Sequence, residues 1–122
     1  MEFEVEFYED EKGNSPVQKF LGDLRRRQPA LHRLTASGIS SLMDGRRHGE
    51  PLTKSIGNGL FELRVGRKDI SRVLWFFTDG QKIILVHGFV KKTNEMPSRH
   101  FKIALDRKAD YLRRVVRHTG SG

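Results

Sequence analysis

Apolar and acidic residues alternate at the start of the chain, with Phe3, Val5 and Phe7 set against Glu2, Glu4 and Glu6. A period of two places the two sets on opposite faces of extended backbone, which predicts a strand from Phe3 to Tyr8. Gly13-Asn14 ends it, Ser15 suits a helix N-cap, and Pro16 suits a first helical residue. Val17, Phe20, Leu21 and Leu24 then follow helical spacing. Gln28-Pro29 breaks that helix and opens a second, which Leu31, Leu34, Ile39, Leu42 and Met43 carry to about Arg47, across an interior Gly38. Residues 49–59, rich in glycine and turn formers, read as a loop. Strands are expected at 60–66, 70–77 and 82–90, with hairpin turns at Gly66-Arg-Lys-Asp69 and Asp79-Gly80. Pro97 opens a last helix with the stripe Phe101, Ala104, Leu105, Leu112 and Val115, leaving Lys102, Arg107, Lys108, Arg113, Arg114 and Arg117 toward solvent. The order β-α-α-β-β-β-α predicts an α+β domain, its sheet mainly antiparallel and its helices packed on one sheet face.

Length and charge narrow the classes. A chain of 122 residues is expected to form one domain, 1–118, with 119–122 as a flexible tail. It holds no cysteine, so disulfides and thiolate metal sites are excluded. The acidic N-terminus lacks a signal-peptide pattern, and the apolar runs are strand-sized, so a cytoplasmic chain with no membrane span is expected. The formal charge is +8, but residues 1–12 hold six acids against Lys12, so the remainder carries +13. This balance favours nucleic acid, a ribosome or an acidic protein as partner; a basic surface with only a solubilising role is the plainer alternative.

Strand parity gathers the candidate chemistry. Glu62 and Arg64 fall on one face of their strand, Arg72 shares a face with Leu74 and Phe76, and His87, Phe89 and Lys91 share another. If these faces coincide, Arg64, Arg72, His87 and Lys91 converge, and a nucleic-acid backbone is the obvious balancing anion. Two arginine forks suit a scissile phosphate and the added charge of a pentavalent transition state. The alternatives are a Glu62–Arg64 ion pair, and bonds from Arg72 to carboxylates near the N-terminus. Lys91 and His87 are candidates for proton transfer, against a solvated turn and a satisfied core histidine. Lys92, Arg67 and Lys68 are candidate RNA-backbone contacts. Trp75, Phe76, Phe89 and Tyr111 read as packing. The histidines at 32, 48, 87, 100 and 118 lack zinc spacing, and there is no nucleotide-binding glycine loop, so no metal and no cofactor are expected.

Gly59-Leu-Phe-Glu-Leu-Arg64, Arg72-Val-Leu-Trp-Phe-Phe77 and His87-Gly-Phe-Val-Lys-Lys-Thr93 with Pro97 following, together with Ser15-Pro16-Val17 and the Ala104–Tyr111 segment, resemble the RelE/ParE toxin superfamily in its HigB-type, phage-derived subgroup. The resemblance spans nearly the whole chain. It implies the toxin half of a type II toxin–antitoxin pair, held by a helix-turn-helix antitoxin. It further implies metal-free cleavage of mRNA on the ribosome, in which a 2′-hydroxyl attacks the adjacent phosphate and leaves a cyclic phosphate and a 5′-hydroxyl. Arg72 and Arg64 would meet phosphate, Lys91 or His87 would move protons, and Lys92 would hold the substrate backbone. Several superfamily members place a C-terminal tyrosine or histidine in the site. Tyr111 lies within the last helix here and His118 near the tail, which leaves the leaving-group acid unassigned. Relatives of ParE type poison DNA gyrase instead, so gyrase poisoning is one alternative, and a non-catalytic RNA- or ribosome-binding module is the other.

Overall fold

A computed structural model describes residues 2–93 and 95–120. The elements are β1 (Glu4–Phe7), α1 (Pro16–Arg27), α2 (Pro29–Ser41), a 3₁₀ turn (Gly45–Arg47), β2 (Thr53–Gly57), β3 (Leu60–Gly66), β4 (Ile70–Thr78), β5 (Lys82–Lys91) and α3 (Ser98–Gly120). The sheet runs β1-β5-β4-β3-β2, with β1 parallel to β5 and every other pair antiparallel. The α+β expectation holds, including the β3–β4–β5 meander.

Four details differ from the sequence pattern. The loop expected at 49–59 contains β2, joined to β3 by Asn58-Gly59, whose φ angles of 57° and 76° fit a tight hairpin turn. The strand matters to the core, because the buried Trp75 indole N–H donates to Thr53 Oγ1 at 3.2 Å. The second helix stops at Ser41 instead of about Arg47. There the backbone N–H of Phe3 donates to the Met43 carbonyl at 2.8 Å, and Asp44 caps the following 3₁₀ turn. Helix α3 is continuous to Gly120, two residues into the segment expected as a tail, while Ser121 and Gly122 and the side chain of His118 lie outside the described residues.

The fourth difference is that helices cover both sheet faces, not one. Val17, Phe20, Leu21 and Ile39 of α1 and α2 pack with Leu63, Val73, Trp75, Ile83 and Leu85. Phe101, Ala104 and Leu105 of α3 pack with Leu60, Leu74, Phe76, Ile84 and Val86 on the other side. The run Val73-Leu74-Trp75-Phe76 is fully buried, so both faces of β4 require an apolar cover.

Glycine sets the spacing of the α1 layer. A Cβ on Gly88 of β5 would lie 2.3 Å from Cδ2 of Phe20. Gly88→Ala is therefore expected to push α1 off the sheet and destabilise the fold by roughly 1–3 kcal/mol. Urea unfolding of the two proteins tests this, and an unchanged midpoint would show that Phe20 swings aside freely.

Candidate active site

The register answers whether the candidate faces coincide. Arg64 pairs with Arg72, Arg72 with Phe89, Ile70 with Lys91, and Leu74 with His87. Directly paired residues share a face, so Arg64, Arg72, Phe89, His87 and Lys91 all lie on the α3 side. A bulge brings this about. Leu74 pairs with His87 but Trp75 pairs with Leu85, so Val86 is an extra residue in β5. Without it, His87, Phe89 and Lys91 would continue the face of Ile83 and Leu85, beneath α1 and α2. The Val86 carbonyl accepts a hydrogen bond from Arg107 Nη1 of α3 at 2.8 Å. Arg107, expected on the solvent side, is thus half-buried and braces the bulge.

Arg72 is fully buried and its donor fork is occupied. Nη1 donates to the Glu95 carbonyl at 2.6 Å and Nη2 to the Thr93 carbonyl at 2.5 Å. These bonds tie Thr93 and Glu95, between β5 and α3, onto the sheet. Its Nε lies 3.4 Å from Oε2 of Glu62, which is itself only 1% exposed, and Arg64 Nε lies 3.7 Å from Oε1. The expected Glu62–Arg64 pair is therefore present, and Arg72 joins it; the carboxylate that Arg72 meets is Glu62 and not an N-terminal acid. Burial lowers the Arg72 pKa, with Glu62 opposing and Arg64 reinforcing the shift. An arginine stays charged even so.

Above this row sits a histidine pair. His87 Nε2 and His100 Nδ1 are 2.7 Å apart, and His87 Nδ1 lies 3.0 Å from Arg107 Nη1. A guanidinium only donates, so His87 Nδ1 accepts. Its proton is then on Nε2 and points at His100 Nδ1, which leaves the His100 proton on Nε2, the outer end of the chain. His100 stacks on Phe89 with ring centroids 3.8 Å apart and planes 2° apart, and the Arg72 guanidinium lies 5.8 Å from the centre of the Phe89 ring. Burial first, then Arg107, His100 and Arg99, push His87 down to about 4. Burial and then Arg99, Lys91 and Arg72 lower His100 as well. Both rings are neutral at pH 7, in a strongly positive setting.

The structure thus brings Arg64, Arg72, His87 and Lys91 to one face. Both ring nitrogens of His87 are engaged, so it reaches outward only through His100. Lys92 is exposed just beyond β5, and Arg67 and Lys68 are exposed at the β3–β4 turn. His100, Arg107 and Arg99 were not singled out by sequence reasoning. The legible signal was the spacing His100, Ala104, Arg107, Tyr111, which places polar groups on the buried stripe of α3. Other cations of α3 are engaged too. Lys108 donates to the Asn58 carbonyl at 2.6 Å, and Arg114 contacts Asp110, which accepts from the Tyr8 hydroxyl at 2.6 Å.

Comparison with family models matches residues 26–109 to the phage-derived Gp49-like proteins. The stretch runs from the end of α1 through the sheet to His100 and Arg107 on α3. The chain belongs to the phage-derived Gp49-like family. The Gp49-like family lies within the RelE/HigB-like toxin group and is associated with toxins of toxin–antitoxin systems, which points to an antitoxin partner. Comparison with proteins of curated function returned no match. Among the described residues of this Gp49-like chain, no helix is long and apolar enough to cross a membrane.

Proposed function

We propose that the chain is a HigB-type toxin that cleaves mRNA on the ribosome, by attack of a 2′-hydroxyl on the adjacent phosphate. The observation that carries this reading is the His87–His100 pair, held in one tautomer by Arg107 and lying in the field of Lys91, Arg72 and Arg99. The nucleophile is internal to RNA, so the protein's work is positioning, proton transfer and charge stabilisation. Arg64 and Lys92 bind the scissile phosphate and its neighbour, and Arg67 and Lys68 hold the flanking backbone. Lys91, as the neutral amine, takes the 2′-hydroxyl proton and becomes the ammonium. His100 directs its Nε2–H at the oxygen where negative charge develops, as a neutral imidazole donor. His87 holds His100 in that orientation. Arg72 acts from behind, holding the Thr93 and Glu95 carbonyls and lying against the Phe89 platform. The leaving 5′-oxygen takes its proton from solvent.

Cleavage of a defined mRNA, naked and on programmed ribosomes, tests this reading. Wild type is expected to cut only on ribosomes. His100→Ala should lose at least about tenfold in rate, or about 1.4 kcal/mol of transition-state stabilisation, in protein that unfolding curves show to be folded under the assay conditions. Undiminished cutting by folded His100→Ala would remove that residue from the chemistry. Failure of folded wild type to cut in either setting, with gyrase-dependent DNA damage instead, would transfer the toxin to the gyrase-poison class.

A further inference from the structure

An open groove of about 660 Å³ lies between the first turns of α2 and the β3–β4 turn. Its floor is aliphatic, formed by Pro29, Ala30, Leu31 and Leu34. Leu34, 51% exposed, extends this apolar lining from the buried Leu31 to the surface, so the apolar groups form one contiguous strip. Arg33, Arg67 and Lys68 line the groove alongside this floor, against the single carboxylate of Asp69. The exposed cations Arg25, Arg26 and Arg27 end α1 immediately before Gln28, another lining residue, and deepen the positive field. The turn side is shaped by Gly66, whose φ of 112° and close approach to Leu31 leave no room for a side chain.

We infer that this groove docks an acidic amphipathic segment of the antitoxin, with aliphatic side chains on the Leu31–Leu34 floor and carboxylates on Arg33, Arg67 and Lys68. The inference rests on the toxin reading for the identity of the partner, but the groove's chemistry selects the occupant. RNA is the competing anion, and single-stranded RNA is held largely by stacking on aromatic rings. No aromatic side chain is among the described residues that line this groove. An aliphatic floor beside cations instead fits a helical or extended peptide with leucine or isoleucine on one side and Asp or Glu on the other. Charge complementarity agrees, since a chain of net charge +8 is best recognised and steered by an acidic binder. The groove also lies on the α2 side chain layer and the hairpin tip, so a segment seated there reaches Arg67 and Lys68, two of the RNA contacts proposed above.

Fluorescence anisotropy with three labelled probes tests the inference: a helical 16-residue peptide with leucines at helical spacing and glutamates elsewhere, the same peptide with its leucines changed to serine, and a single-stranded RNA oligonucleotide. The leucine–glutamate peptide should bind, and the serine version should bind at least about tenfold more weakly. Leu34→Asp and Arg33→Glu should each weaken the first peptide about tenfold or more, and hydrogen exchange should show protection at 28–34 and 66–69 on binding. RNA affinity should fall far less than peptide affinity in Leu34→Asp, whose added carboxylate only weakens the field of Arg67 and Lys68. Equal binding of the serine peptide, protection elsewhere, no binding, or RNA as the only probe sensitive to Leu34→Asp would each overturn the proposal. Ribosome-dependent cleavage measured on the same preparations separates the two readings. Wild type and Leu34→Asp that both fail to cut, while the peptide binds the groove, would sink the nuclease reading and leave the docking site standing.

Discussion

Replacing Arg72 by methionine is expected to cost roughly 3–5 kcal/mol of stability. Arg72 is fully buried, its fork holds two backbone carbonyls, and its Nε faces Glu62, which is 1% exposed. Methionine fills much of the volume but leaves the Thr93 and Glu95 carbonyls without these donors and removes the buried cation nearest Glu62. Neither carboxylate oxygen of Glu62 accepts a hydrogen bond from a described residue, so the local positive charge is its main compensation. Arg64 remains 3.7 Å away but is partly exposed and less able to supply it. Adding Glu62→Gln should recover part of the loss, with a coupling above about 1 kcal/mol in a double-mutant cycle. The measurement is urea unfolding of wild type, both single variants and the double variant. A loss below about 1 kcal/mol for Arg72→Met, or additivity across the cycle, would show that Glu62 is neutralised by something other than Arg72. The prediction bears on function as well. Loss of cleavage in an Arg72 variant does not by itself place Arg72 on phosphate, because Thr93, Glu95 and the Phe89–His100 stack lose their anchor in the same step.

Much of this site was legible because strand parity is a strong constraint. Arg64 and Glu62 had to share one face, as did Arg72, Leu74 and Phe76, and as did His87, Phe89 and Lys91. Parity does not say which face of one strand meets which face of the next. That depends on register, and here on one extra residue, Val86. Bulges leave little trace in a run such as Ile83-Ile84-Leu85-Val86, where every position is apolar. The support that makes the bulge possible comes from Arg107, on a helix 21 residues away, and no local pattern links the two. Strand β2 was missed for a different reason. Its sequence, Thr53-Lys-Ser-Ile-Gly57, is short and mostly polar, as edge strands are. Its strongest signal was the Asn58-Gly59 turn between it and β3, which residue composition alone presents as a loop. The placement of helices on both faces was readable in principle from the unbroken apolar run of β4. The role of His100 was not, since it depends on a contact across 13 residues and on a tautomer set by a third side chain.

Acidification should destabilise the fold well before its carboxylates titrate. In the folded chain His87 is pushed down to about 4, whereas in the unfolded chain it titrates near 6.5. Above pH 6.5 the ring is neutral in both states and its burial carries no protonation penalty. Between 6.5 and 4 the unfolded chain binds a proton that the folded chain refuses, so stability falls with falling pH throughout that window. The full difference approaches roughly 3 kcal/mol for His87, and the lowered pKa of His100 acts in the same direction. Asp44, held at about 2 by bonds from Arg46, and Asp110, lowered chiefly by the Tyr8 hydroxyl, exert their effect at lower pH. The measurement is the urea midpoint from pH 8 to 4.5 for wild type and His87→Gln. Glutamine cannot titrate, so the variant should show a clearly flatter decline, with the remaining slope assigned by His87→Gln/His100→Gln. Identical slopes in wild type and His87→Gln would mean that the ring protonates within the fold. That would dissolve the Arg107–His87–His100 tautomer chain, because a protonated His87 offers no acceptor to Arg107. The neutral donor assigned to His100 would then lose its structural basis.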